Sequence, residues 1–325
     1  MQRTLLNLSY DQQPINELSL KNLDMEKIHG VFKKVGRKSD EQKMRSLGIL
    51  AETAKGAVPS IGGMILFGKG EDVARLLSDA KVRCARFLGI DKVNILDQYD
   101  VEGTILDAVQ QVPKFIGRNT RLTAEFTRMQ RRDIPEYSPV AVREVLINAL
   151  VHCDYSISGT SVQVAVFEDR LEIQNPGMLP FGFTIEDLKS GVSRVRNRVI
   201  ARVFSELRLI EAWGSGYKRV VEACLSEGYP EPKWEELGTA IRVTLFPHPQ
   251  SQLQDKSGLR GKASLTAREE KILDCVKKKK EISSRKIAEF YNLAGRTVSH
   301  DLAALEKKGL VERNGKGRAT VWREA

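Results

Sequence analysis

The sequence is short of cysteine and has no long apolar run. Its 325 residues include four cysteines, and no two of them form a CxxC pair, which argues against a structural zinc site and a disulfide framework. No stretch approaches the roughly 18 apolar residues that cross a bilayer. The first residues, MQRTLLNLSYDQQ, lack the apolar centre of a signal peptide. These absences predict a reduced, cytoplasmic protein with no membrane partner.

Positive charge is in excess, and the excess is concentrated near the C-terminal end. The formal net charge of the whole sequence is +10. Residues 256–325 contain 18 Lys and Arg against 9 Asp and Glu, a net charge of +9. A short and strongly basic terminal domain is typical of nucleic-acid binders, although charge alone fits a solvated surface equally well.

Hydrophobic periodicity and turn residues divide the chain into three folded parts and one linker, and predict an α+β fold class. Residues 1–120 form a mixed α/β segment that packs on the central module. Residues 121–247 form the central α/β sandwich module, which opens with one strand over RLTAEFTRMQRRDIP and includes a β-hairpin around Glu168-Asp169. Residues 248–264 are polar and rich in Pro, Gly, Ser and Gln, as linkers are. Residues 265–325 form the last domain.

The last domain has the element order of a winged helix-turn-helix. Three predicted helices precede two short strands around a Gly-Lys-Gly turn, and in such domains the third helix enters the major groove of DNA. Val298, Leu302 and Leu305 are spaced to pack inward. The polar and basic side chains around them can contact phosphates and base edges. The candidate DNA-binding residues are Arg285, Arg296, Thr297, Ser299, His300, Arg313, Lys316 and Arg318.

This domain resembles the winged-helix domains of bacterial transcriptional regulators, on the stretches TAREEKIL, ISSRKIAE and GRTVSHDLAALEKKGLV. Some winged helices serve only protein–protein contacts. The charge of +9 favours double-stranded DNA as the partner.

Residues 143–155, REVLINALVHCDY, carry the most informative pattern of the central module. Ser138 and Pro139 supply an N-cap and a first-turn proline for a helix. Glu144, Asn148 and His152 recur every four residues beside its apolar stripe, so they can face one pocket while the stripe packs on a sheet. A carboxylate can orient water, and an amide oxygen is a hard ligand that suits Mg²⁺. Taken alone, such a row is most often a solvated surface.

The order of motifs around this helix resembles the Bergerat (GHKL-type) ATP-binding fold of the DNA gyrase B subunit, MutL and the histidine kinases. There, one helix carries a Glu that activates water and, four residues later, an Asn that ligates magnesium. A DxGxG box, a glycine-containing lid and a late Gly-Thr follow. The resemblance implies that Glu144 is the general base and that Asn148 ligates Mg²⁺. It also implies a nucleotide site that includes His152, Asn175, Gly177, Gly214, Gly216 and Thr239. Arg194 and Arg196 could clamp the phosphates of that nucleotide or could simply be exposed, since arginine serves both purposes.

The sequence departs from that pattern in ways that keep several functions open. Asn175 replaces the Asp of the DxGxG box, and an amide oxygen accepts a hydrogen bond from adenine more weakly than a carboxylate does. Leu179 replaces the second glycine of the box, His152 stands where an acid is usual, and the lid is poor in glycine. ATP hydrolysis is therefore left undecided.

Several linked motifs are similar to a family of bacterial RecG-like C-terminal, ATP-binding regulators. They are E-xxx-NALVH-x-DYS, D-R-x-E-I-x-NPG-x-LP, S-R-x-RN and L-x-L-IE-x-WGSG, and the likeness covers about residues 25 to 247. In that family a Schlafen AlbA-type domain usually comes first, so we expect it to be absent from this chain or truncated. A P-loop helicase is rejected: Gly63–Gly70 fits the GxxxxGK spacing, but Gly70 replaces the required Ser/Thr and MILF is predicted to be a buried strand.

The leading hypothesis is a DNA-binding transcriptional regulator whose central module binds ATP and Mg²⁺ and whose winged helix binds DNA. A homodimer is expected because two half-sites require two recognition helices. Two alternatives stay open: a Mg²⁺-dependent ATPase of DNA metabolism, and a pseudo-ATPase that serves as a dimerisation scaffold.

Overall fold

A computed structural model gives the architecture of the chain. It describes residues 8–101, 103–126, 131–192, 194–210, 216–251, 267–279, 281–291, 293–307, 310–315 and 320–324. The chain divides into two compact units, Met1–Gln252 and Leu253–Ala325. Within the described part of the chain, no helix is long and apolar enough to cross a membrane. The first unit combines a mixed sheet with helices, so the predicted α+β class is confirmed.

Helices and a small hairpin begin the first unit. The helices are α1 (Met25–Lys34), α2 (Glu41–Leu47), α3 (Ile61–Phe67) and α4 (Gly70–Leu76), and strands β1 (Leu50–Thr53) and β2 (Gly56–Pro59) pair antiparallel between α2 and α3. Every residue of α3 is buried.

The strand predicted over MILF is therefore wrong. Ser60 caps α3 by accepting a hydrogen bond from the Gly63 N–H at 2.9 Å, which commits the chain to a helix. In a short apolar run that is buried on all sides, polar and apolar residues do not alternate, so the sequence shows neither the period of a helix nor that of a strand. Gly63 is required by close packing, because a Cβ there would lie 2.2 Å from the Ile49 carbonyl oxygen.

A six-stranded sheet forms the centre of the first unit. Its strands are β3 (Val82–Phe87), β4 (Ile95–Asp100), β7 (Val162–Val166), β8 (Leu171–Pro176), β9 (Lys233–Leu237) and β10 (Ala240–Leu245), in the order β4-β3-β7-β8-β10-β9. Among the described strand pairs of this sheet, the β3–β7 pair is parallel and the other four are antiparallel. The predicted hairpin is confirmed as β7 and β8. Helices α5 (Ile105–Asn119) and α6 (Pro139–His152) pack on one face of the sheet.

Between α5 and α6 the chain forms two strands where one was predicted. Strands β5 (Leu122–Phe126) and β6 (Arg131–Pro135) pair antiparallel, with Leu122 opposite Pro135. A single strand over this stretch would far exceed the usual length of about 5–6 residues.

Three helices follow the hairpin, as predicted: α7 (Ile185–Ser190), α8 (Arg198–Glu206) and α9 (Gly216–Ser226). Helix α8 is held at its first turn by two buried polar side chains. The Asp11 carboxylate accepts hydrogen bonds from the N–H groups of the first three residues of α8 at 2.7–3.1 Å. The Asn197 amide donates to the carbonyls of Val151 and Cys153 at the end of α6. Because these bonds satisfy groups that a helix end leaves without partners, α8 is fixed against α6.

The second unit contains helices α10 (Ala267–Lys279), α11 (Ser284–Tyr291) and α12 (Gly295–Lys307) and the antiparallel strands β11 (Val311–Asn314) and β12 (Val321–Glu324). This is the predicted order. Val298, Leu302 and Leu305 are fully buried, as their spacing predicted, and pack with Ile287 and Trp322.

The predicted boundaries after residues 120, 247 and 264 stay predictions. The central sheet takes β3 and β4 from before residue 120. The first residues after 247 also pack on the first unit, since the His248 N–H donates to the Glu136 carbonyl at 2.8 Å and Ser251 is buried.

Candidate functional site

A cavity of about 360 Å³ lies against helix α6 in the first unit. The floor residues Ile173, Asn175, Ile241, Val243 and Trp234 come from the three strands β8, β10 and β9. Residues of α6, α8, α9 and the segment after β8 form the remaining walls. Its volume falls in the range of small-molecule sites, about 300–1,000 Å³.

Helix α6 brings Glu144, Asn148 and His152 together in the wall of this cavity. The hydroxyl of Ser138 caps the helix, accepting from the Ala141 N–H at 3.5 Å. Nine residues of the helix are buried, Glu144 among them. More of the helix is buried than the apolar stripe in its sequence predicts. The row of polar residues lines the cavity.

Glu144 and Asn148 lie beside the start of helix α9. Glu144 is 7% exposed, and its Oε2 is 3.9 Å from Nη2 of Arg219. A Cβ at Gly216 would lie 2.9 Å from Nδ2 of Asn148 and 3.2 Å from Oε1 of Glu144. The absence of a side chain at Gly216 therefore lets α9 approach these two residues directly.

His152 is neutral at physiological pH. Burial of the ring, reinforced by the positive charge of Arg196, lowers its pKa to about 4. The imidazole therefore brings hydrogen-bonding capacity to the cavity but no charge at neutral pH.

The end of β8 forms one rim of the cavity. Asn175 is buried there, and its amide donates to the Pro176 carbonyl at 3.2 Å. Gly177 has φ +104° and donates its N–H to the Thr239 carbonyl at 2.7 Å. A Cβ at Gly177 would lie 2.7 Å from Cβ of Asp154, so both the conformation and the space require glycine. Thr239 supports this rim through its backbone.

Four arginines line the cavity, and Glu144 is the one acidic residue among the described residues that line it. Arg194 donates to the Phe181 carbonyl at 3.0 Å. Arg196 forms an ion pair with Asp154 at 2.7 Å and donates to the Met178 carbonyl. The other two arginines are Arg202 and Arg219. This balance of charge favours an anionic ligand.

Two side chains on α6, those of Glu144 and Asn148, offer oxygen atoms that can ligate Mg²⁺. Among the described residues no cluster of three His, Cys, Asp or Glu side chains could hold a metal alone. Mg²⁺ is commonly held by one or two protein ligands together with substrate phosphates and water, so this pair fits a metal that arrives with a nucleotide.

Sequence reasoning missed Arg202, Arg219, Tyr217 and Trp234, which all line the cavity. The spacing of Gly216 and Arg219 was a usable signal, because residues three apart share a helix face. No sequence signal pointed to Trp234, because strand β9, which carries it, was not predicted. Gly214 lies outside the described residues.

The predicted DNA-binding residues of the second unit are largely exposed. Ser299 is exposed and the His300 side chain is 84% exposed near the start of α12, while Thr297 is half-buried. Arg285 is exposed and pairs with Glu289 at 3.0 Å. The predicted Lys316 and Arg318, and the side chain of Arg296, lie outside the described residues.

Helix α12 is fixed by an ion pair that the sequence did not predict. Asp301 is buried and accepts from Arg268 of α10 at 2.5 and 3.1 Å, a bidentate geometry that holds the two helices together. On the wing, Arg313 is exposed and donates to the Thr320 hydroxyl at 3.4 Å.

Two family models match the chain. Residues 159–245 match the model described as "Putative ATP-dependent DNA helicase recG C-terminal". Residues 268–324 match that of the DeoR-like helix-turn-helix domain. These matches confirm the resemblance inferred from the sequence motifs for the regions that they cover: residues 159–245 are similar to an ATPase-like module of the RecG C-terminal type, and residues 268–324 to a DeoR-like helix-turn-helix domain.

The fold is also similar to that in the crystal structure of the DIP2311 protein from Corynebacterium diphtheriae. The TM-score is 0.62 at 19% sequence identity, over 98% of this chain and 64% of that protein. At this identity the likeness shows the fold alone, and the chain spans less than two thirds of the length of that protein. No curated protein matches the chain.

Proposed function

We propose that the protein is a transcriptional regulator that binds double-stranded DNA through its winged helix and binds ATP with Mg²⁺ in the cavity of its first unit. The observation that carries the nucleotide site is the meeting of Glu144 and Asn148 with four arginines in one cavity of about 360 Å³. Residues 159–245, which supply the cavity's strands and its four arginines but not helix α6, match an ATPase-like family, and this supports the same proposal.

In this proposal Asn148 ligates Mg²⁺ through its amide oxygen, and the arginines balance the phosphate charge. When bound, Mg²⁺ would neutralise phosphate oxygens. Asn175 and Gly177 border the base, and neutral His152 contributes a hydrogen bond. Nothing in these roles requires bond cleavage, so nucleotide binding can serve regulation alone.

The DNA-binding part of the proposal rests on the second unit. Its DeoR-like match, the exposed Ser299 and His300 near the start of α12 and the charge of +9 over residues 256–325 support contact with duplex DNA. A homodimer would present two recognition helices to two half-sites.

Calorimetric titration of Mg·ATP into the wild-type chain and into Asn148→Ala tests the nucleotide site. We expect saturable binding that is lost in Asn148→Ala and kept in Asn94→Ala, which removes an exposed amide that does not line the cavity. Anisotropy titrations with duplex DNA, with and without Mg·ATP, then test regulation. Absence of heat in the wild type together with intact DNA binding would refute nucleotide binding and favour the dimerisation scaffold. A monomer that ignores duplex DNA at low salt would refute the regulator.

Mg²⁺-dependent ATP hydrolysis is the second candidate, and the buried carboxylate of Glu144 four residues before Asn148 favours it. A carboxylate in this position can accept a proton from an attacking water. Phosphate release that is abolished in Glu144→Gln would establish the enzyme. Binding without release would leave the regulator as proposed.

A further inference from the structure

Arg219 stands at an unusual place on helix α9. The described part of this helix is Gly216–Ser226, and Arg219 lines the cavity from it. The position of this charged side chain in the wall of a cavity needs a reason.

That reason lies on the neighbouring helix. Gly216 and Arg219 are three residues apart and share one face of α9. The close approach at Gly216 turns this face toward Glu144 and Asn148, and places the Arg219 guanidinium 3.9 Å from the Glu144 carboxylate. This distance is longer than that of a charge-assisted hydrogen bond, about 2.7–2.9 Å, so the pair attracts without a tight bond.

Two of the other three arginines of the cavity bond to its rim. Arg196 bonds Asp154 and the Met178 carbonyl, and Arg194 bonds the Phe181 carbonyl. Both therefore brace the segment that follows β8. Arg219 lines the cavity from α9, and about a third of its side chain is exposed.

We propose that Arg219 is a phosphate-binding residue of the cavity and that Glu144 and the phosphate compete for its guanidinium. The inference rests on the proposed nucleotide site. In the absence of an anion the carboxylate holds the guanidinium near the cavity wall. A diphosphate or triphosphate group provides a better partner, because it carries more charge and accepts two parallel N–H bonds from arginine.

The competition has two opposite consequences for binding. Arg219→Ala removes a charge-assisted contact and lowers the affinity for ADP by roughly tenfold or more, while the affinity for adenosine changes by less than about twofold. Glu144→Gln removes the competing carboxylate and its repulsion of phosphate, so it raises the affinity for ADP. ADP is used because no hydrolysis of a third phosphate then complicates the comparison.

Equilibrium dialysis with labelled ADP and adenosine on the full chain measures both effects. Lys218→Ala is the matched control, since Lys218 has the same charge in the same turn, is exposed and does not line the cavity. Arg219→Lys is expected to recover part of the ADP affinity, because it keeps the charge but loses the two-pronged contact. Adenosine binding by Arg219→Ala shows that the cavity is intact.

Three outcomes overturn the inference. Equal loss of ADP and adenosine in Arg219→Ala would mean that Arg219 only shapes the cavity. Unchanged ADP affinity in Arg219→Ala, with loss in Asn148→Ala, would refute this role of Arg219 and keep the nucleotide site. Binding of neither ADP nor adenosine by the wild-type chain would refute both proposals.

Discussion

The carboxylate of Asp11 fixes one wall of the cavity from a distant part of the chain. It is fully buried and accepts from the N–H groups of Arg198, Val199 and Ile200, and also from the Ser9 hydroxyl. Helix α8, which begins with these three residues, contributes Arg202 and two further residues to the cavity. Loss of the carboxylate should therefore weaken the fold of the first unit and disturb this wall of the cavity.

Asp11→Ala removes a helix cap and leaves buried N–H groups of α8 without their acceptor. A lost helix cap costs about 1–2 kcal/mol, and a buried N–H without a partner costs about 1–3 kcal/mol more. We expect a loss of about 3 kcal/mol in the free energy of unfolding. For a unit of this size that corresponds to a fall in Tm of roughly 6–12 °C. Asp11→Asn keeps one acceptor oxygen and should lose about half as much.

Urea unfolding of the full chain, followed by fluorescence, measures the change. Asp24→Ala is the matched control: Asp24 caps α1 through one bond to the Lys27 N–H at 2.9 Å and is only partly buried. It should cost about 1 kcal/mol. Equal losses for Asp11→Ala and Asp24→Ala would show that Asp11 acts as an ordinary cap and that α8 is held by other contacts.

Three further predictions concern the cavity and the wing. The folded-state pKa of His152 is about 4, below its ordinary value of 6.5. Between these two pH values the unfolded chain binds a proton that the folded chain does not, so the free energy of unfolding should fall by about 3 kcal/mol when the pH is lowered from above 6.5 to 4. His152→Gln should lose less stability over that window in urea titrations, and parallel losses would contradict a buried neutral imidazole. Gly177→Ala should destabilise the first unit by roughly 2–4 kcal/mol through its positive φ and its close approach to Asp154, and an unchanged unfolding midpoint would show that the rim can relax. Arg313→Ala should weaken binding to unrelated duplexes alike and reduce the slope of log affinity against log salt by about 0.9, whereas a loss confined to one duplex sequence would indicate base reading.

The row on helix α6 was predictable because its signal is local. Glu144, Asn148 and His152 recur at four-residue spacing, and such a period places them on one side of a helix whatever surrounds it. The winged helix was predictable for the same reason: its helices are short and amphipathic, and its turn is marked by glycine. In both cases the pattern and the capping residues agree with the tertiary contacts.

The features that could not be predicted from the sequence depend mostly on contacts between segments that are far apart in the chain. Asp11 reaches Val199 across 188 positions, and nothing near Asp11 marks it as a cap for that helix. Trp234 enters the cavity because β9 pairs with β10 at the edge of the sheet, and a weakly alternating stretch such as KWEEL does not reveal that partner. Helix α3 was mistaken for a strand because complete burial erases the periodicity by which the two are separated.

The two helices that flank α6 at the cavity differ in the polar contacts that join them to the rest of the first unit. Helix α8 is locked by short bonds between buried groups, with Asn197 at 2.7–2.8 Å from two carbonyls and Asp11 on its first turn. Helix α9 packs its buried Val220 and Cys224 into the core, and an approach of 3.9 Å between Arg219 and Glu144 is one charged contact between it and α6. In our proposal an anion in the cavity competes with the Arg219–Glu144 contact and leaves the bonds of α8 unchanged. A ligand shifts a conformational equilibrium only by the difference in its affinity for the two states. Under this proposal, the exchange of the partner of Arg219 is therefore the step through which occupancy of the cavity acts on α9.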